Sequence, residues 1–266
     1  MTTSKTPITK NIICMKWGTR YGPEYVNRLF ATVQKHMSGT VGEDYRFICI
    51  TDDPTGIVEG VECKPLAPLN DDLPDHLKNK PWLKLLVWDN PLYDLEGDAL
   101  FLDVDLIITG SLDDFFAYKP ESTFCVIENW TEPGKSTGNT SVFRFRIGAH
   151  PYILHDFVKD MWGTYKAYKI EQRYISRTIS EQTFWPAEWC RSFKVHLIPT
   201  WPWRFFVAPK LPESCRIVVF HGKPDPDEAM IGRWPTKQGQ WYKKIYKYIR
   251  PTSWIADHWQ DPAHFK

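Results

Sequence analysis

The chain has 266 residues, of which 42% are hydrophobic and 24% are charged, values close to those of ordinary globular proteins. These values exclude a disordered or fibrous chain. The formal net charge of +1 excludes a general electrostatic attraction to nucleic acid. Aromatic residues make up 15% of the chain and suit both protein cores and stacking surfaces for sugars.

The cysteine pattern and the lengths of the apolar runs predict the cellular compartment of the protein. The six cysteines are widely spaced and include no C-x-x-C pair, so neither a zinc site nor a redox motif is indicated. Residues 1–10 are polar and lack the apolar core of a secretory signal, and no apolar run approaches the ~20 residues that a membrane span needs. We therefore expect a cytoplasmic protein with reduced cysteines.

The first 50 residues predict half of a nucleotide-binding sheet. Residues 11–15 form a short apolar run, followed by a polar loop that contains glycine. From residue 24 to residue 37 the apolar residues recur at helical spacing, and residues 45–51 form a second apolar run that ends in a turn. A strand, a helix and a strand within about 40 residues predict a parallel unit whose ligand loops lie at the carboxyl ends of the strands.

The rest of the chain continues the α/β alternation. Strands are predicted over residues 98–102, 124–128, 141–145 and 216–220, and helices over 82–88, 113–116 and 153–165. We expect a single α/β domain over residues 1–266, with a mixed sheet flanked by helices. Within it we assign residues 1–130 to a nucleotide-binding half, 131–240 to a sugar and acceptor half, and 241–266 to a C-terminal helix and tail.

The most informative pattern is Asp103-Val104-Asp105, which directly follows four apolar residues of a predicted strand. Two carboxylates one residue apart repel each other unless a cation lies between them, and a divalent metal ion resolves that conflict. The carboxyl edge of a sheet is also where open α/β folds bind ligands. The alternative is a solvated acidic turn that binds nothing.

Several segments together resemble one family of enzymes. The sequence LFLDVD at 100–105, followed by GSLD at 110–113, resembles the D-x-D region of GT-A-fold glycosyltransferases, especially those of family 8, which includes glycogenin and bacterial lipooligosaccharide galactosyltransferases. Later segments resemble that family's N-x-G, D-Q and H-x-x-G-x-x-K-P-W elements, namely GN at 138–139, EQ at 171–172 and HGKP at 221–224. Three features depart from the family pattern: Glu replaces Asp in the D-Q pair, the His and Lys are closer together, and Asn139 lacks the following Ala-Gly.

This resemblance implies a GT-A-like fold and an enzyme that transfers a sugar from a nucleotide sugar, a UDP-sugar, to a glycan or lipid-linked acceptor with retention of anomeric configuration. It also implies that Asp103, Asp105 and His221 bind Mn²⁺ (or Mg²⁺) against the donor's diphosphate. Metal ligation requires a neutral imidazole, so we expect donor turnover to fall as the pH drops through the titration of His221, whose unperturbed pKa is ~6.5. The alternative for His221 is a purely structural histidine.

The resemblance also assigns the residues around the donor. Lys223 would stabilise the charge of the departing diphosphate, because a cation placed there favours the transition state. Glu171 and Gln172 would reach the transferred sugar. The alternatives are the rival pair Glu181-Gln182, ten residues later, and a simple solvated helix face for either pair. The other residues assigned to nucleotide-sugar binding, beside Asp103 and Lys223, are Met15, Trp17, Arg20, Tyr21, Thr51, Asp52, Lys84, Val104, Asn139 and Gly222. For Lys84 and Arg20 the alternative is a solvated surface cation.

Two other functions compete with glycosyl transfer. A non-catalytic carbohydrate-binding protein would explain the aromatic residues without using the two aspartates. A metal-dependent phosphohydrolase of the haloacid-dehalogenase type also has D-x-D after an apolar strand, but it places Thr where this chain has Ile107. Metal-dependent nucleotide binding separates the first alternative from a glycosyltransferase. The sequence does not predict an oligomeric state.

Two late features suggest contacts with larger partners. Residues 241–250 predict a helix with aromatic and aliphatic residues on one face and Lys or Arg on the others, which suits the inner face of an anionic membrane or, alternatively, packing on the domain. Late tryptophans offer either a stacking surface for an acceptor sugar or ordinary core, and these are Trp185, Trp189, Trp201, Trp203 and Trp234.

Overall fold

The structure is a computed structural model that describes residues 9–66, 73–78, 80–236, 242–243 and 246–261. It contains two compact units, whose segments alternate along the chain. Unit 1 comprises residues 1–26, 38–103 and 113–185, and unit 2 comprises residues 27–37, 104–112 and 186–266. The assignment of a nucleotide-binding half and a sugar half stays a prediction.

The strands and helices of the described residues are numbered in chain order. The strands are β1 (Lys10–Lys16), β2 (Arg46–Thr51), β3 (Glu62–Pro65), β4 (Asp98–Leu102), β5 (Ile107–Ile108), β6 (Phe124–Glu128), β7 (Gly138–Arg146), β8 (Thr183–Phe184), β9 (Cys190–Ser192) and β10 (Ile217–Val219). The α-helices are α1 (Pro23–His36), α2 (Asp75–Lys78), α3 (Asp113–Ala117), α4 (Tyr152–Lys159), α5 (Met161–Tyr168), α6 (Glu171–Thr178), α7 (Pro226–Met230) and α8 (Trp254–His258). The 3₁₀ helices are Pro81–Trp88 and Trp203–Phe205, and a π-helix covers Phe193–Leu197.

The sheet of unit 1 is mixed. Within the described residues it has seven strands in the order β3-β2-β1-β4-β7-β6-β8. Strands β1 to β4 are parallel, β7 is antiparallel to both β4 and β6, and β8 is parallel to β6. Because the four parallel strands share one direction, their carboxyl ends meet at one edge of the sheet. The predicted mixed sheet flanked by helices is confirmed.

The predicted helix over 82–88 is a 3₁₀ helix instead of an α-helix. Every residue from Trp82 to Trp88 is buried, so this helix has no solvent face. Its rings pack within the core, where Trp82 stacks on Phe157 and Trp88 stacks on Phe143. Lys84 is therefore a cation inside an otherwise apolar helix, and its solvated alternative is wrong.

The predicted helix over 153–165 is divided in two at Asp160. The backbone of Asp160 leaves the helical conformation, and its side chain accepts a hydrogen bond from the Gly163 nitrogen at 2.8 Å. Aspartate is a favoured N-cap because its carboxylate satisfies a backbone N–H that the new helix leaves unpaired. Helix α4 therefore ends at Lys159, and helix α5 begins at Met161.

Three cysteines lie side by side across the parallel strands of unit 1. Cys14 on β1 is opposite Cys49 on β2, and Cys49 is opposite Cys63 on β3. All six cysteines of the chain are free thiols. Burial, and then hydrogen bonding to Cys49, raise the pKa of Cys14 well above its ordinary value.

Unit 2 is built on a smaller sheet. Within the described residues its strands have the order β5-β10-β9, with β10 antiparallel to β5 and parallel to β9. The predicted strand 216–220 is β10, whose three residues are fully buried. The described residues include no helix that is both long enough and apolar enough to cross a membrane.

The predicted basic helix over 241–250 is only partly testable, because residues 241, 244 and 245 lie outside the described residues. Residues 242 and 243 form a helical turn. Residues 246 and 247 form a turn and a bend, and residues 248–250 have no regular structure. The prediction that the helix extends to Arg250 is therefore wrong.

A buried arginine in unit 1 satisfies several backbone carbonyl groups at once. Arg144 on β7 has no solvent exposure, and its guanidinium nitrogens donate hydrogen bonds to backbone carbonyls. The accepting carbonyl groups belong to Phe115, Phe116, Tyr118, Lys119 and Ser122, at 2.7–3.1 Å. The first two belong to helix α3, whose last carbonyls have no partner inside the helix. The cation therefore satisfies the carbonyl end of α3 and the loop that follows it.

We expect Arg144→Met to lower the free energy of unfolding by about 3 kcal/mol or more, because several buried carbonyls lose their donor at once. Urea denaturation of the full chain measures the change. Arg146→Met, two residues along the same strand, is the matched control. Arg146 is exposed and pairs with Asp98 at 3.1 Å, so its loss should cost about 1 kcal/mol or less. Equal losses in the two variants would contradict this role of Arg144.

Candidate active site

The loops after β1 and β2 are joined at the carboxyl edge of the sheet. Lys16 and Thr51 are register partners at the ends of these strands. The Lys16 Nζ donates to the carbonyl of Asp53 at 3.1 Å, and the Gly18 nitrogen donates to the Asp52 carboxylate at 2.9 Å. The parallel register thus brings the two predicted donor loops together. Lys16 and Asp53 are additions to the residues that the sequence predicted.

The predicted donor residues of these loops differ in accessibility. Met15 and Thr51 are buried, and the Thr51 hydroxyl donates to the carbonyl of Asp53 at 3.0 Å. Trp17 packs partly against the core and donates from its indole nitrogen to the carbonyl of Lys78 at 3.1 Å. The Arg20 guanidinium lies over the ring of Tyr21, with 4.7 Å from its carbon to the ring centroid.

A buried lysine contacts the first aspartate of the D-x-D motif. Lys84 is 7% exposed, and its Nζ lies 2.6 Å from Oδ1 of Asp103. Asp103 follows the last residue of β4, and its backbone nitrogen donates to the carbonyl of Ser141 on β7 at 3.0 Å. Lys84 also donates to the carbonyl of Thr140 at 3.3 Å. The ammonium group therefore holds the ends of two neighbouring strands.

Glu171 completes this cluster from the first position of helix α6. The Thr140 hydroxyl donates to Oε1 of Glu171 at 2.9 Å, and Glu171 is only 3% exposed. Burial raises the pKa of the Glu171 carboxyl, although the charge of Lys84 and the hydrogen bond from Thr140 act in the opposite direction. We call Lys84, Asp103, Thr140 and Glu171 the edge cluster.

Thr140 is a site residue that the sequence prediction missed. It contributes its carbonyl to Lys84 and its hydroxyl to Glu171, so it links the two charged side chains. Its neighbour Asn139, predicted to bind the donor sugar, accepts a hydrogen bond from the Ser141 nitrogen at 3.0 Å. The carbonyl of Gln172 accepts from the Ser176 hydroxyl at 2.6 Å.

In unit 2, His221 lies in a partly buried polar group. Its Nε2 is 2.7 Å from the hydroxyl oxygen of Ser192, and its carbonyl accepts from the Lys194 Nζ at 2.8 Å. Burial, and then the charges of Lys194 and His196, lower the pKa of His221 to about 4. The imidazole is therefore neutral at pH 6, and the expected loss of turnover near the ordinary histidine pKa moves to a lower pH. Ser192 and Lys194 were not predicted.

Gly222 and Lys223 follow His221. Gly222 has a φ of +70°, which glycine adopts without strain, and a Cβ at this position would lie 3.3 Å from the Lys194 Nζ. Lys223 Nζ contacts Asp225 at 2.7 Å and Glu228 at 2.9 Å. Burial opposes its charge, but these carboxylates outweigh that effect and raise the pKa of Lys223.

The other two residues of the D-x-D motif are buried, with Val104 4% exposed and Asp105 9% exposed. Across the described residues there is no group of three or more His, Cys, Asp or Glu side chains that could hold a metal ion. The ligand set of Asp103, Asp105 and His221 accordingly stays a prediction.

The late tryptophans do not share one environment. Trp185 is 4% exposed and packs edge-on against Phe115 in unit 1, with ring centroids 4.9 Å apart. Trp201 and Trp203 in unit 2 are 61% and 63% exposed. Trp185 therefore belongs to the core, whereas an acceptor-stacking role for Trp201 and Trp203 stays a prediction.

Comparison with solved structures places the fold among glycosyltransferases. Galactosyltransferase LgtC in complex with donor and acceptor sugar analogs has a TM-score of 0.56 and 14% sequence identity, covering 81% of this chain and 88% of that one. An active-site mutant of LgtC gives a TM-score of 0.54 and 13% identity over 89% of this chain and 95% of that one.

Glycosyltransferase GlyE of Streptococcus pneumoniae TIGR4 gives a TM-score of 0.54 and 12% identity over 82% of this chain and 56% of that one. Neither the comparison with protein-family models nor the comparison with curated protein sequences gives a match. The predicted resemblance is confirmed at the level of the fold: this chain has the GT-A architecture shared by these glycosyltransferases.

The raised pKa of Glu171 predicts how stability depends on pH. Because the folded pKa lies above the unfolded value, the contribution of Glu171 is most favourable below the unfolded pKa of about 4.3 and is lost as the pH rises through the folded pKa. We expect Glu171→Gln, which keeps an acceptor for Thr140, to gain stability relative to the natural protein as the pH rises from 4.5 to 8. Urea unfolding across this range gives the comparison.

Glu132→Gln is the control with the opposite sign. Hydrogen bonding to Arg173 lowers the pKa of Glu132, so its favourable contribution is present above the unfolded pKa and is lost at lower pH. This variant should lose stability relative to the natural protein as the pH rises. A difference between Glu171→Gln and the natural protein that stays constant with pH would refute the raised pKa of Glu171.

Proposed function

We propose that this protein is a glycosyltransferase that uses a nucleotide sugar, a UDP-sugar, and transfers its sugar to a glycan or lipid-linked acceptor. The observation that carries this proposal is the edge cluster, in which a buried lysine contacts the first D-x-D aspartate at the carboxyl edge of a GT-A sheet. The similarity to LgtC, solved with donor and acceptor sugar analogs, supports the same substrate classes. Retention of anomeric configuration is proposed from the resemblance to family 8.

Lys84 is suited to a donor that carries a diphosphate. Its ammonium is held in place by Asp103 and by the carbonyl of Thr140 before any substrate binds. A cation fixed in this way stabilises charge that develops on a departing diphosphate without a cost of reorganisation. We propose that Lys84 contributes this charge and that Lys223 contributes a second one. In the structure, Lys223 is engaged by Asp225 and Glu228, so it acts only if those contacts rearrange.

The residues proposed as metal ligands have the chemistry of a divalent-cation site. Asp103 and Asp105 supply carboxylate oxygens, and the lowered pKa of His221 keeps its imidazole neutral, as ligation requires. These donors suit Mn²⁺ or Mg²⁺, with the imidazole favouring Mn²⁺. When bound, such an ion neutralises negative charge on the leaving group. Lys84 holds the Asp103 carboxylate in place through their contact at 2.6 Å.

The sugar end of the donor is proposed to lie near Asn139, Glu171 and Gln172. Glu171 is almost fully buried, so its part in this proposal is to position Lys84 and Thr140. Gln172 is the next residue of helix α6 and is partly exposed, which suits a hydrogen bond to a sugar hydroxyl. The nucleoside is assigned to the joined loops at Gly18 and Asp52.

We expect Asp103→Asn to lower donor turnover about 100-fold or more. The substitution removes the charge that orients Lys84, and it also removes a proposed metal ligand. Turnover is measured as UDP release from a panel of UDP-sugars in the presence of Mn²⁺. Calorimetry of UDP binding with and without Mn²⁺ should show that the variant loses the metal-dependent part of the affinity.

Asp98→Asn is the matched control, because Asp98 begins the same strand that Asp103 follows and pairs with the exposed Arg146. This variant should retain turnover and metal-dependent UDP binding. Natural affinity for UDP in the Asp103→Asn variant, with Mn²⁺ present, would disprove the assignment of Asp103. Failure of the natural protein to bind any nucleotide sugar would disprove the proposed function.

A further inference from the structure

Helix α5 of unit 1 carries a face that is both aromatic and basic. Trp162, Tyr165, Lys166 and Lys169 are spaced as i, i+3, i+4 and i+7, so they lie along one side of the helix and its C-cap. Trp162 is 47% exposed and stacks on Tyr165 with ring centroids 5.6 Å apart. Lys80 reaches the same side of the helix, where its Nζ donates to the Tyr165 hydroxyl at 2.8 Å. We call these five residues the α5 face.

The three lysines of the α5 face converge on its two rings. The Nζ atoms of Lys80 and Lys169 lie 4.6 Å and 5.7 Å from the centre of the Tyr165 ring. The Nζ of Lys166 lies 4.9 Å from the centre of the Trp162 ring. The hydrogen bond from Lys80 lowers the pKa of the Tyr165 hydroxyl, and the charges of Lys80 and Lys169 act in the same direction. An aromatic ring attracts a cation but does not neutralise it, so this face keeps its positive charge.

Carboxylates do not balance this charge. None of the three ammonium groups forms an ion pair with a carboxylate of the residues that the structure describes. The acidic side chains of the neighbouring helices have other partners. Asp156 lies 3.3 Å from the Nζ of Lys159, Asp160 accepts from the Gly163 nitrogen, and Glu171 belongs to the edge cluster. An anionic ligand would therefore relieve the repulsion among the three lysines.

The lysine at the end of helix α5 has a strained backbone. Lys169 has a φ of +66°, a conformation that helices usually give to glycine because a Cβ is strained there. Its nitrogen donates to the carbonyl of Tyr165 at 2.9 Å and so closes the last turn. A glycine would close this turn without strain, but it would carry no charge over the ring. Strain of this kind is typical of positions whose side chain has a function.

The α5 face is connected to the residues proposed for sugar transfer. Lys169 lies two residues before Glu171 of the edge cluster. From the other direction, Trp17 in the loop after β1 donates from its indole nitrogen to the carbonyl of Lys78 at 3.1 Å, and Lys80 lies two residues further along the chain. The face is therefore joined both to the edge cluster and to the proposed donor loop of the same unit.

One class of ligand fits this composition and this position. Ammonium groups only donate hydrogen bonds, so three of them on one face favour a ligand with carboxylate or phosphate groups. The aromatic rings beside them offer flat contact area for sugar rings. The net charge of +1 disfavours nucleic acid as the anion. In the proposed function Lys84 and Lys223 already serve the diphosphate of the donor, so the remaining substrate is the acceptor.

We propose that the α5 face binds an acceptor glycan that carries carboxylate or phosphate groups. The assignment of this glycan as the acceptor rests on the proposed function. Lys80, Lys166 and Lys169 contact the anionic groups, and Trp162 packs against a sugar ring. The substrate class is thus narrower than glycans in general and consists of negatively charged saccharides.

Binding of matched glycans to the full chain tests the proposal. One pair of probes is an oligogalacturonide, which carries carboxylates, and its methyl ester. The other pair is an oligomannose with and without a phosphate monoester. With UDP and Mn²⁺ present, the natural protein should bind the anionic member of at least one pair about tenfold more tightly than the neutral member. Raising the salt concentration should weaken this preference, because screening reduces the attraction. Comparison of the two pairs shows which anionic group is preferred.

Two double variants separate the α5 face from the net charge of the chain. Lys166→Glu with Lys169→Glu should lower the affinity for the anionic glycan about tenfold or more. Lys35→Glu with Lys159→Glu changes the net charge by the same amount at two exposed lysines elsewhere, and it should bind as the natural protein does. All four lysines are exposed, so both variants should fold.

Lys169→Gly gives a result that a purely structural role of Lys169 does not predict. Glycine adopts a positive φ without strain, so this variant should unfold at a higher urea concentration than the natural protein. It should nevertheless bind the anionic glycan more weakly, because it lacks one of the three ammonium groups. Natural affinity for the anionic glycan in this variant would contradict the role of Lys169.

The remaining outcomes distinguish this proposal from the proposed function. Equal affinity for the anionic and neutral members of both pairs, in a natural protein that binds UDP, would overturn the proposal and leave the proposed function standing. Equal losses of affinity in the two double variants would also overturn it. Should the variant of Lys166 and Lys169 fail to fold, Lys166→Gln is measured instead, and an unchanged preference overturns the proposal. A natural protein that binds no nucleotide sugar would overturn the proposed function and, with it, the assignment of the glycan as the acceptor.

Discussion

The edge cluster depends on one physical requirement: the ammonium group of the buried Lys84 must have fixed carboxylate and carbonyl groups around it. Removing a charge from water is costly, so a buried lysine is stable only when carboxylates and carbonyls surround its nitrogen. Lys84 meets this requirement with Asp103 and the carbonyl of Thr140. These groups come from the end of β4 and the beginning of β7, so the 3₁₀ helix and both strands must be in place before the cluster exists.

The charge balance of this cluster also sets its preference for ligands. One ammonium faces two carboxyl groups, and the raised pKa of Glu171 shows that burial disfavours a second negative charge. With Glu171 protonated, Lys84 and Asp103 balance each other. With Glu171 ionised, the cluster has excess negative charge and favours an added cation. An anionic diphosphate would then enter more readily together with a divalent ion than alone.

The sequence predicted the parts of the fold and site that depend on local pattern. Buried strands such as β4 have uninterrupted apolar runs, which the sequence shows directly. The carboxyl ends of parallel strands meet at one edge of a sheet, and the register of β1 and β2 accordingly brings Gly18 and Asp52 together. Thr140 escaped prediction because half of its role belongs to a backbone carbonyl, which every residue has. The pairing of Lys223 with two carboxylates had a local signal, because Asp225 and Glu228 form the capping box of helix α7. The burial of Trp185 and the exposure of Trp201 had no local signal in the sequence, since both depend on packing between distant segments.

The row of Cys14, Cys49 and Cys63 allows opening of the sheet at its edge strand β3 to be followed by thiol chemistry. Cys63 lies on the outermost strand β3 and is exposed, whereas the other two thiols are completely buried in successively deeper strands. A thiol reagent therefore meets Cys63 in the native protein, but it meets Cys49 and Cys14 only after strands separate. Local openings of a protein have lower free energies than global unfolding. The order in which the three thiols are alkylated accordingly records whether this sheet opens from its edge or all at once.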